Sequence, residues 1–253
     1  MSERDIFPVL LAGWFVLAAG TFVGLFFFTA PYGRYSRRNW GPKVGDALGW
    51  VLMEASAPAV FAACFALGRF SFAGCLPVIF AIWEAHYIHR SFIYPFMLRG
   101  REKRMPLVVA LAGFFFNGVN AYMNGRFLFN FSGGFPMVWL ASPPFIAGFA
   151  LFVAGFVVNR WADLKLRSLR APGESDYKIP HGGLYRYVSC PNYLGEIMEW
   201  VGWAVLTWSL AGASFAVWTA ANLVPRARAN HAWYRRTFPD YPAGRKALVP
   251  FVW

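Results

Sequence analysis

The sequence predicts an all-α integral membrane protein with seven transmembrane helices, its N-terminus outside or in the lumen and its C-terminus in the cytoplasm. Hydrophobic residues make up 58% of the 253-residue chain and charged residues only 14%, whereas soluble domains carry roughly 25% charged residues. Apolar runs near the roughly 20 residues that a bilayer requires recur along the chain. This composition excludes a disordered chain, a coiled coil and an ordinary cytosolic enzyme.

The apolar runs define the predicted helices and a single membrane-embedded domain over residues 1–253. They lie at about 8–28, 47–67, 72–98, 105–131, 136–158, 194–212 and 212–225. The last run is short, so a re-entrant segment is the alternative to a span. The first run has neither a clear basic segment before it nor an obvious small-residue cleavage site, which indicates an uncleaved span and not a signal peptide.

The charge pattern sets the orientation. The chain carries a net charge of +12, which in a soluble protein would point to nucleic acid. Here the cations lie between apolar runs. Loops 29–46 and 99–104, the segment 159–192 and the tail after 225 are basic, whereas the connectors between them hold one arginine or none. Since cytoplasmic loops collect Lys and Arg, these four segments are predicted to be cytoplasmic, with membrane lipid and not nucleic acid as a partner.

Two apolar runs contain polar groups, which are costly in a membrane and therefore functional candidates. Glu54 lies in WVLMEASAPAVF with no cation within one helical turn. The alternative to a functional role is a protonated acid that is hydrogen-bonded to a neighbouring helix. In the third run, Tyr87, Arg90, Ser91 and Tyr94 follow helical spacing and are predicted to share one face.

No metal is predicted. His86 and His89 form an HxxH pattern, but the chain has only two other histidines, so interfacial hydrogen bonding is the favoured interpretation. The three cysteines are odd in number and have no CxxC spacing, which argues against a zinc site or a disulfide framework.

Polar residues also line the predicted cytoplasmic segments. Asn159, Asp163, Arg167 and Arg170 are spaced by four, four and three residues, which places them on one helical face. The alternative is a face that is merely solvated. Asparagine and aspartate suit the recognition of amides and hydroxyls, and arginine suits phosphate.

Two further segments extend this pattern. In YKIPHGGLYRYVSCPNYLGEIMEW, a turn at Pro191-Asn192 precedes a helix whose N-terminus can receive an anion. In the tail, Arg226, Asn230 and Tyr234 share a face at steps of four, beside His231. A basic helix next to a membrane can instead meet anionic lipid.

These segments resemble the steroid 5α-reductases (3-oxo-5α-steroid 4-dehydrogenases). The matching stretches are the one around Glu54, HYIHRSFIYPFMLRGR, the polar face with APGE, YKIPHGGLYRYVSCPNYLGEIMEW and FPDYPAGRKALVPFVW. The resemblance runs from about residue 30 to Trp253. The final part alone is less specific, because isoprenylcysteine methyltransferases and sterol reductases share a similar turn and tail.

The resemblance implies NADPH-dependent reduction of the 4,5 double bond of a 3-oxo-Δ4-steroid such as testosterone or progesterone. It implies that Glu54 and Tyr87 are catalytic and hold the steroid carbonyl, with Trp50 also contacting the steroid, which enters from the bilayer. It places sixteen residues around NADPH: Tyr32, Arg90, Tyr94, Asn159, Asp163, Arg167, Arg170, Tyr177, Lys178, Asn192, Glu196, Trp200, Arg226, Asn230, His231 and Tyr234.

The chain departs from the family pattern at two of these positions. Lys178 stands where an arginine is expected after the tyrosine, and Asn230 begins what is often a histidine-rich stretch. Both departures are expected to change the contacts with the NADPH phosphates more than the type of reaction. We expect a monomer, in the endoplasmic reticulum membrane of a eukaryote or the inner membrane of a bacterium.

Two other functions compete with the reductase. An S-adenosylmethionine-dependent membrane methyltransferase would use the same C-terminal turn but has no need for Glu54 and Tyr87. A non-enzymatic sterol-binding protein would explain the apolar bundle but not the dense polar face on the cytoplasmic side.

Overall fold

The computed structural model describes residues 2–29, 33–35, 40–97, 104–171, 174 and 176–253. These residues are mostly helical. The helices are, in chain order, α1 (Glu3–Phe27), α2 (Asp46–Ala66), α3 (Leu76–Ile88), α4 (Tyr94–Met97), α5 (Leu107–Arg126), α6 (Pro143–Ser168), α7 (Pro191–Thr207) and α8 (Leu210–Thr237). Two short strands, β1 (Lys43–Gly45) and β2 (Arg104–Pro106), pair antiparallel.

The chain divides into two compact units. The central unit is Pro31–Ser142, and the terminal unit combines Met1–Ala30 with Pro143–Trp253. The central unit therefore holds α2 to α5 and both strands. The terminal unit holds α1 and α6 to α8.

Among the described residues, four helices are long and apolar enough to cross a membrane: α1, α2, α5 with its extension to Phe131, and α6. They confirm the first, second, fourth and fifth apolar runs as long helices. The helix of the fifth run, α6, is displaced relative to the predicted bounds of 136–158. Residues Met137–Ala141 form a separate 3₁₀ turn, and α6 begins at Pro143. The seven-span topology and its orientation stay predictions.

The other three runs are helical with different bounds. The third, predicted at 72–98, consists of α3, a π-helical turn at His89–Ile93 and the short α4. The sixth, predicted at 194–212, overlaps α7, which begins earlier, at Pro191, and ends at Thr207. The seventh, predicted to end at 225, is the beginning of the 28-residue α8, which continues through Pro225 to Thr237. The drop in hydropathy at Arg226 therefore marks a change in helix surface and not the end of the helix.

Glycines set the packing of the terminal unit. Gly148 and Gly155 on α6 face Gly202 and Gly195 on α7. A Cβ at Gly195 would lie 2.5 Å from the backbone nitrogen of Asn159, and one at Gly202 would lie 2.4 Å from that of Phe152. Such distances leave no room for a side chain, so the two backbones touch. Small residues permit this approach between membrane helices, and it fixes the register of α6 against α7.

The central unit is built on α2 and α5. A Cβ at Gly113 would meet Met53, and one at Gly125 would meet Cys64. The Ser56 hydroxyl donates to the Phe114 carbonyl at 2.7 Å. An aromatic core lies beside this pair of helices, and Phe61 stacks on Trp83 with ring centroids 4.5 Å apart. The contacts hold α2, α3 and α5 in one register.

The tail of the terminal unit folds back on the segment before α7. The backbone nitrogen of Ser189 donates to the Lys246 carbonyl at 2.8 Å, and the Lys246 nitrogen donates to the Tyr187 carbonyl at 2.8 Å. The Cys190 nitrogen donates to Ala247. These bonds tie the C-terminal residues to the start of α7.

Candidate active site

A buried carboxylate occupies the middle of the central unit. Glu54 is 8% exposed on α2. Its Oε1 lies 3.5 Å from Nε of Arg90, and its Oε2 accepts a hydrogen bond of 3.2 Å from the Asn117 amide. Both carboxylate oxygens therefore face groups that donate hydrogen bonds. The predicted alternative of a contact with a neighbouring helix is present, through Asn117 on α5.

Arg90 is held by two aromatic rings as well as by Glu54. Its guanidinium carbon lies 5.0 Å from the Trp50 ring centroid and 4.8 Å from that of Tyr94. The two rings meet edge to face at 5.6 Å. Cation–π contacts of this kind strengthen where water is excluded. We call Trp50, Glu54, Arg90, Tyr94 and Asn117 the Glu54 cluster.

The π-helical turn at His89–Ile93 carries Arg90. A π-helical turn widens the helix and shifts the residues after it, and such turns are frequent at functional sites. The predicted α-helical face is therefore interrupted after Ile88, although Tyr87 and Ser91 are both buried as that face requires.

Tyr87 lies three residues before Arg90, at the end of α3. It is 2% exposed. Its ring centroid lies 4.9 Å from that of Trp83 and 4.9 Å from that of His86. Tyr87 is thus a buried phenol whose ring packs on aromatic neighbours, three residues from the cation that pairs with Glu54.

The terminal unit brings α6 and α7 together through asparagine side chains. The Asn159 amide donates to the Asn192 backbone carbonyl at 2.9 Å, and the Asn192 amide donates to Asp163 at 3.2 Å. Asn192 is the second residue of α7. The predicted polar face of α6 and the predicted turn therefore meet, and the glycine contacts explain how they come so close.

A second group of contacts joins α7 to α8. The Tyr193 hydroxyl accepts from Nε of Arg226 at 3.0 Å and from the Asn230 amide at 3.2 Å. Arg226 and Asn230 are both buried. The predicted face of Arg226, Asn230 and Tyr234 is thus turned towards the start of α7.

Arg170 lies just after the end of α6. Its guanidinium carbon is 4.6 Å from the Tyr177 ring centroid, and its Nε donates to the Asp176 carbonyl at 3.2 Å. The Tyr177 ring packs against Trp233 on α8, with centroids 5.1 Å apart. Lys178 is exposed and pairs with Glu174 at 2.7 Å. The contact with Lys178 is the largest cause that lowers the pKa of Glu174.

His231 lies in a compact polar network with Ser189 and Tyr241. The Ser189 hydroxyl lies 2.6 Å from Nδ1 of His231 and 2.6 Å from the Tyr241 hydroxyl. Burial lowers the pKa of His231, and the positive charges of Arg235, Arg245 and Lys246 lower it further. Burial also raises the pKa of Tyr241. The network is therefore neutral near pH 7.

The remaining predicted cofactor residues are distributed around these contacts. Tyr234 is buried and stacks on Tyr241 at 5.2 Å. Trp200 is buried between Phe152 and Phe215 in the apolar packing of the terminal unit. Arg167 and Glu196 are half-buried on α6 and α7. Tyr32 lies outside the described residues.

The sequence interpretation missed Asn117, Tyr193 and Ser189. Asn117 had a visible signal, because Asn117, Asn120 and Asn124 are spaced by three and four residues in an otherwise apolar run and all three are buried. Intramembrane polar residues at helical spacing are functional candidates. Tyr193 and Ser189 had no comparable signal, since their partners lie on α8 and in the tail.

Comparisons with known proteins identify relatives of this chain. A sequence model of the 3-oxo-5-alpha-steroid 4-dehydrogenase family matches residues 103–253. The chain is 39% identical to a steroid 5-alpha-reductase of Gossypium hirsutum, over 100% of this chain and 99% of that protein. It is 40% identical to the 3-oxo-5-alpha-steroid 4-dehydrogenase 1 of Rattus norvegicus, over 93% of this chain and 91% of that protein.

The human 3-oxo-5-alpha-steroid 4-dehydrogenase 1 is similar as well, at 39% identity over 87% of this chain and 85% of that protein. The chain belongs to the 3-oxo-5-alpha-steroid 4-dehydrogenase family, which is a family of oxidoreductases. Membership favours the reductase over the methyltransferase and over the non-enzymatic sterol-binding protein.

Proposed function

We propose that this protein reduces the 4,5 double bond of a 3-oxo-Δ4-steroid, with NADPH as the reductant. The observation that carries the proposal is the Glu54 cluster, a buried ion pair three residues from a buried tyrosine, in a chain whose relatives are named steroid 5-alpha-reductases. A buried ion pair in an apolar helical unit contributes little net stability. A functional role accounts for it better.

The reaction needs a hydrogen-bond donor at the steroid carbonyl. When bound, NADPH would supply the hydride for the β-carbon of the enone, and negative charge would then develop on the steroid carbonyl oxygen. A donor positioned there stabilises the transition state more than the ground state. Tyr87 is a neutral phenolic donor and fills this role. The enolate then takes a proton at its α-carbon, which completes the reduction.

Glu54 acts on Tyr87 or on the steroid as a charged group. Its two oxygens face Arg90 and Asn117, which stabilises the carboxylate. The geometry therefore favours a role in orienting and polarising the donor over a role as a second neutral donor. Asn117 also donates to the Met53 carbonyl at 2.8 Å, so it fixes the orientation of the carboxylate relative to α2.

The donor set of the terminal unit fits a dinucleotide. Arg170, Lys178 and Arg226 supply positive charge for phosphates, and Asn159, Asp163 and Asn192 supply amide and carboxylate groups for a carboxamide or ribose hydroxyls. Tyr177 offers an aromatic face beside Arg170, suited to stacking on an adenine. We propose that these residues hold NADPH, together with the other predicted residues: Tyr32, Arg90, Tyr94, Arg167, Glu196, Trp200, Asn230, His231 and Tyr234. Trp50 would contact the steroid.

Turnover of purified full-length protein in detergent tests the proposal. With testosterone or progesterone, we expect steroid-dependent loss of NADPH absorbance and a 5α-reduced product by mass spectrometry. NADPH deuterated at the transferring position of nicotinamide should deliver the label to the steroid C5. Absence of reduced steroid in folded protein that binds NADPH would contradict the proposal. Purification with bound S-adenosylmethionine would favour the methyltransferase instead.

We also propose seven spans with the tail in the cytoplasm, on the strength of the alternating loop charge. Single cysteines in the tail and in the connector near residue 211 test this by labelling from each side of the membrane. The native Cys64, Cys75 and Cys190 are buried, so their background reaction should be low. Labelling of the tail only from the outer side would overturn this topology.

A further inference from the structure

A basic cavity of about 520 Å³ lies in the terminal unit, outside the residues assigned to NADPH. Its walls come from the segment before α7 and from the tail. They include His181, Gly182, Arg186, Tyr187 and Arg245. The volume is in the range of small-ligand sites, and the described residues that line the cavity are basic or uncharged.

Arg245 is the buried cation of this cavity. It is 4% exposed. Its Nη2 donates to the Pro180 carbonyl at 3.2 Å, and its guanidinium carbon lies 4.8 Å from the Tyr241 ring centroid. Burial raises the pKa of the Tyr241 hydroxyl, and Arg245 acts on that hydroxyl in the opposite direction. Within the described part of the chain, Nε and Nη1 have no hydrogen-bond acceptor and no carboxylate forms an ion pair with Arg245. A buried guanidinium without a counter-charge is costly, so an anion bound beside Arg245 would be stabilised.

An exposed arginine and an exposed histidine join Arg245 in the cavity lining. Arg186 and His181 both line the cavity and are exposed. Gly182 has a φ of +87° with open space where a Cβ would stand, so the backbone can approach a ligand closely there. An anion in the cavity would meet a buried cation, an exposed cation and accessible backbone.

The edge of the cavity is apolar. Tyr187 lines the cavity and packs against Phe251, with ring centroids 5.2 Å apart. Phe251, Val252 and Trp253 are exposed large hydrophobic residues. Phenylalanine, valine and tryptophan exposed together beside basic residues are typical of a protein surface at a membrane interface. The cavity thus combines a site for a phosphate with a surface for acyl chains.

We infer that the Arg245 cavity binds a phosphate ester, and that this ester is the headgroup of an anionic phospholipid. The apolar edge would contact the acyl chains and so favour a lipid over a soluble phosphate. Basic pockets of membrane proteins on the cytoplasmic side bind such headgroups. The chemistry shared with soluble sources is the phosphate itself, so inorganic phosphate is the second source to test. This inference is independent of the proposed reduction, because none of the cavity residues belongs to the NADPH set.

Native mass spectrometry of the detergent-purified full-length protein tests it, with phosphatidylglycerol, phosphatidylcholine, inorganic phosphate and NADPH as probes. Arg186→Ala is the main variant, because Arg186 is exposed and its loss leaves the packing intact. Arg236→Ala is the matched control, since Arg236 is exposed on α8 and does not line the cavity. Arg245→Gln is the second variant, used where thermal unfolding shows that it folds.

We expect Arg186→Ala to weaken phosphatidylglycerol binding about fivefold and Arg245→Gln to weaken it about tenfold or more, with no change in Arg236→Ala. Phosphatidylcholine should bind weakly throughout, and NADPH affinity should be unchanged in Arg186→Ala. Arginine-dependent binding of inorganic phosphate, without a preference for phosphatidylglycerol, would support the phosphate site with a soluble source. Equal binding of phosphatidylglycerol and of phosphate to wild type and Arg186→Ala would overturn the inference. A loss of NADPH affinity alone would also overturn it, because the cavity would then belong to the cofactor site.

Discussion

The central and terminal units stabilise their buried polar residues in different ways. In the central unit, Glu54 is paired with a side-chain cation and a side-chain amide. In the terminal unit, the Asn159 side chain on α6 donates to the backbone carbonyl of Asn192 on α7. The glycines of α6 and α7 bring the two backbones into contact. The first arrangement depends on charge, and the second depends on how closely two backbones approach.

This difference indicates which substitutions each unit tolerates. The contacts among Glu54, Arg90 and Asn117 are lost when one charge is removed, although the helices around them can remain folded. A backbone contact fails when any side chain is inserted between the helices. We therefore expect charge changes in the central unit to affect turnover, and size changes in the terminal unit to affect folding and cofactor affinity.

The largest effect is expected for Tyr87→Phe and Glu54→Ala, each about 10²–10³ in rate, the typical cost of losing one preorganised group at a developing oxyanion. The double variant should lose less than the product of the two, because both groups are proposed to act on the same carbonyl oxygen, directly or through one another. Glu54→Gln should also lose most activity, because Arg90 would lose its counter-charge. Turnover of testosterone measures all four. Wild-type rates in Tyr87→Phe and Glu54→Ala would show that the site is misassigned.

Gly195→Ala should destabilise the terminal unit by about 1–3 kcal/mol, the usual range for overpacking. The added methyl group would lie 2.5 Å from the Asn159 backbone nitrogen, so α6 and α7 must separate and the bond from Asn159 to Asn192 weakens. Thermal unfolding and NADPH affinity should both decrease. Gly20→Ala on α1 is the control, because nothing lies within 4 Å of that position. Equal stability of Gly195→Ala and Gly20→Ala would contradict the close-packing account.

Arg170→Ala should weaken NADPH about tenfold or more, since a lost charge-assisted hydrogen bond costs about 1.5–3 kcal/mol. Steroid affinity should be unchanged. Arg236→Ala provides an exposed arginine of equal charge as the control. An unchanged dissociation constant for NADPH in folded Arg170→Ala would remove Arg170 from the cofactor site.

The smallest expected effect is the loss of folding stability at acid pH that His231 causes. Burial and the nearby Arg235, Arg245 and Lys246 place its folded pKa below its ordinary value of 6.5. The unfolded chain therefore binds a proton first, and stability should fall as the pH decreases from about 6.5 towards the lower folded pKa. Above that range the contribution is constant. Melting temperatures between pH 5 and 8 should show a steeper acid decrease in wild type than in His231→Gln, and parallel curves would argue against this assignment.

The sequence predicted the long apolar helices and the polar face of α6 because both depend on local spacing. It did not predict the π-helical turn at His89–Ile93, whose hydrogen-bond pattern depends on packing against α2. The sequence also did not predict the pairing of Glu54 with Arg90. The two residues are 36 positions apart and meet only when the helices pack in a fixed register.

The terminal unit offers a contrasting lesson. Gly148 and Gly155, and likewise Gly195 and Gly202, are each seven residues apart, so the close packing of α6 on α7 had a readable signal in the sequence. The polar network of Ser189, His231 and Tyr241 had none, because the three residues come from three separate segments that meet only in the folded chain.

The most direct test of the central claim is to measure the NADPH dissociation constant and the steroid turnover rate of Tyr87→Phe in the same preparation. If Tyr87 polarises the steroid carbonyl and takes no part in holding NADPH, turnover falls about 10²–10³ while NADPH affinity stays at the wild-type value. A parallel loss of NADPH affinity, or turnover at the wild-type rate, would contradict this division of roles.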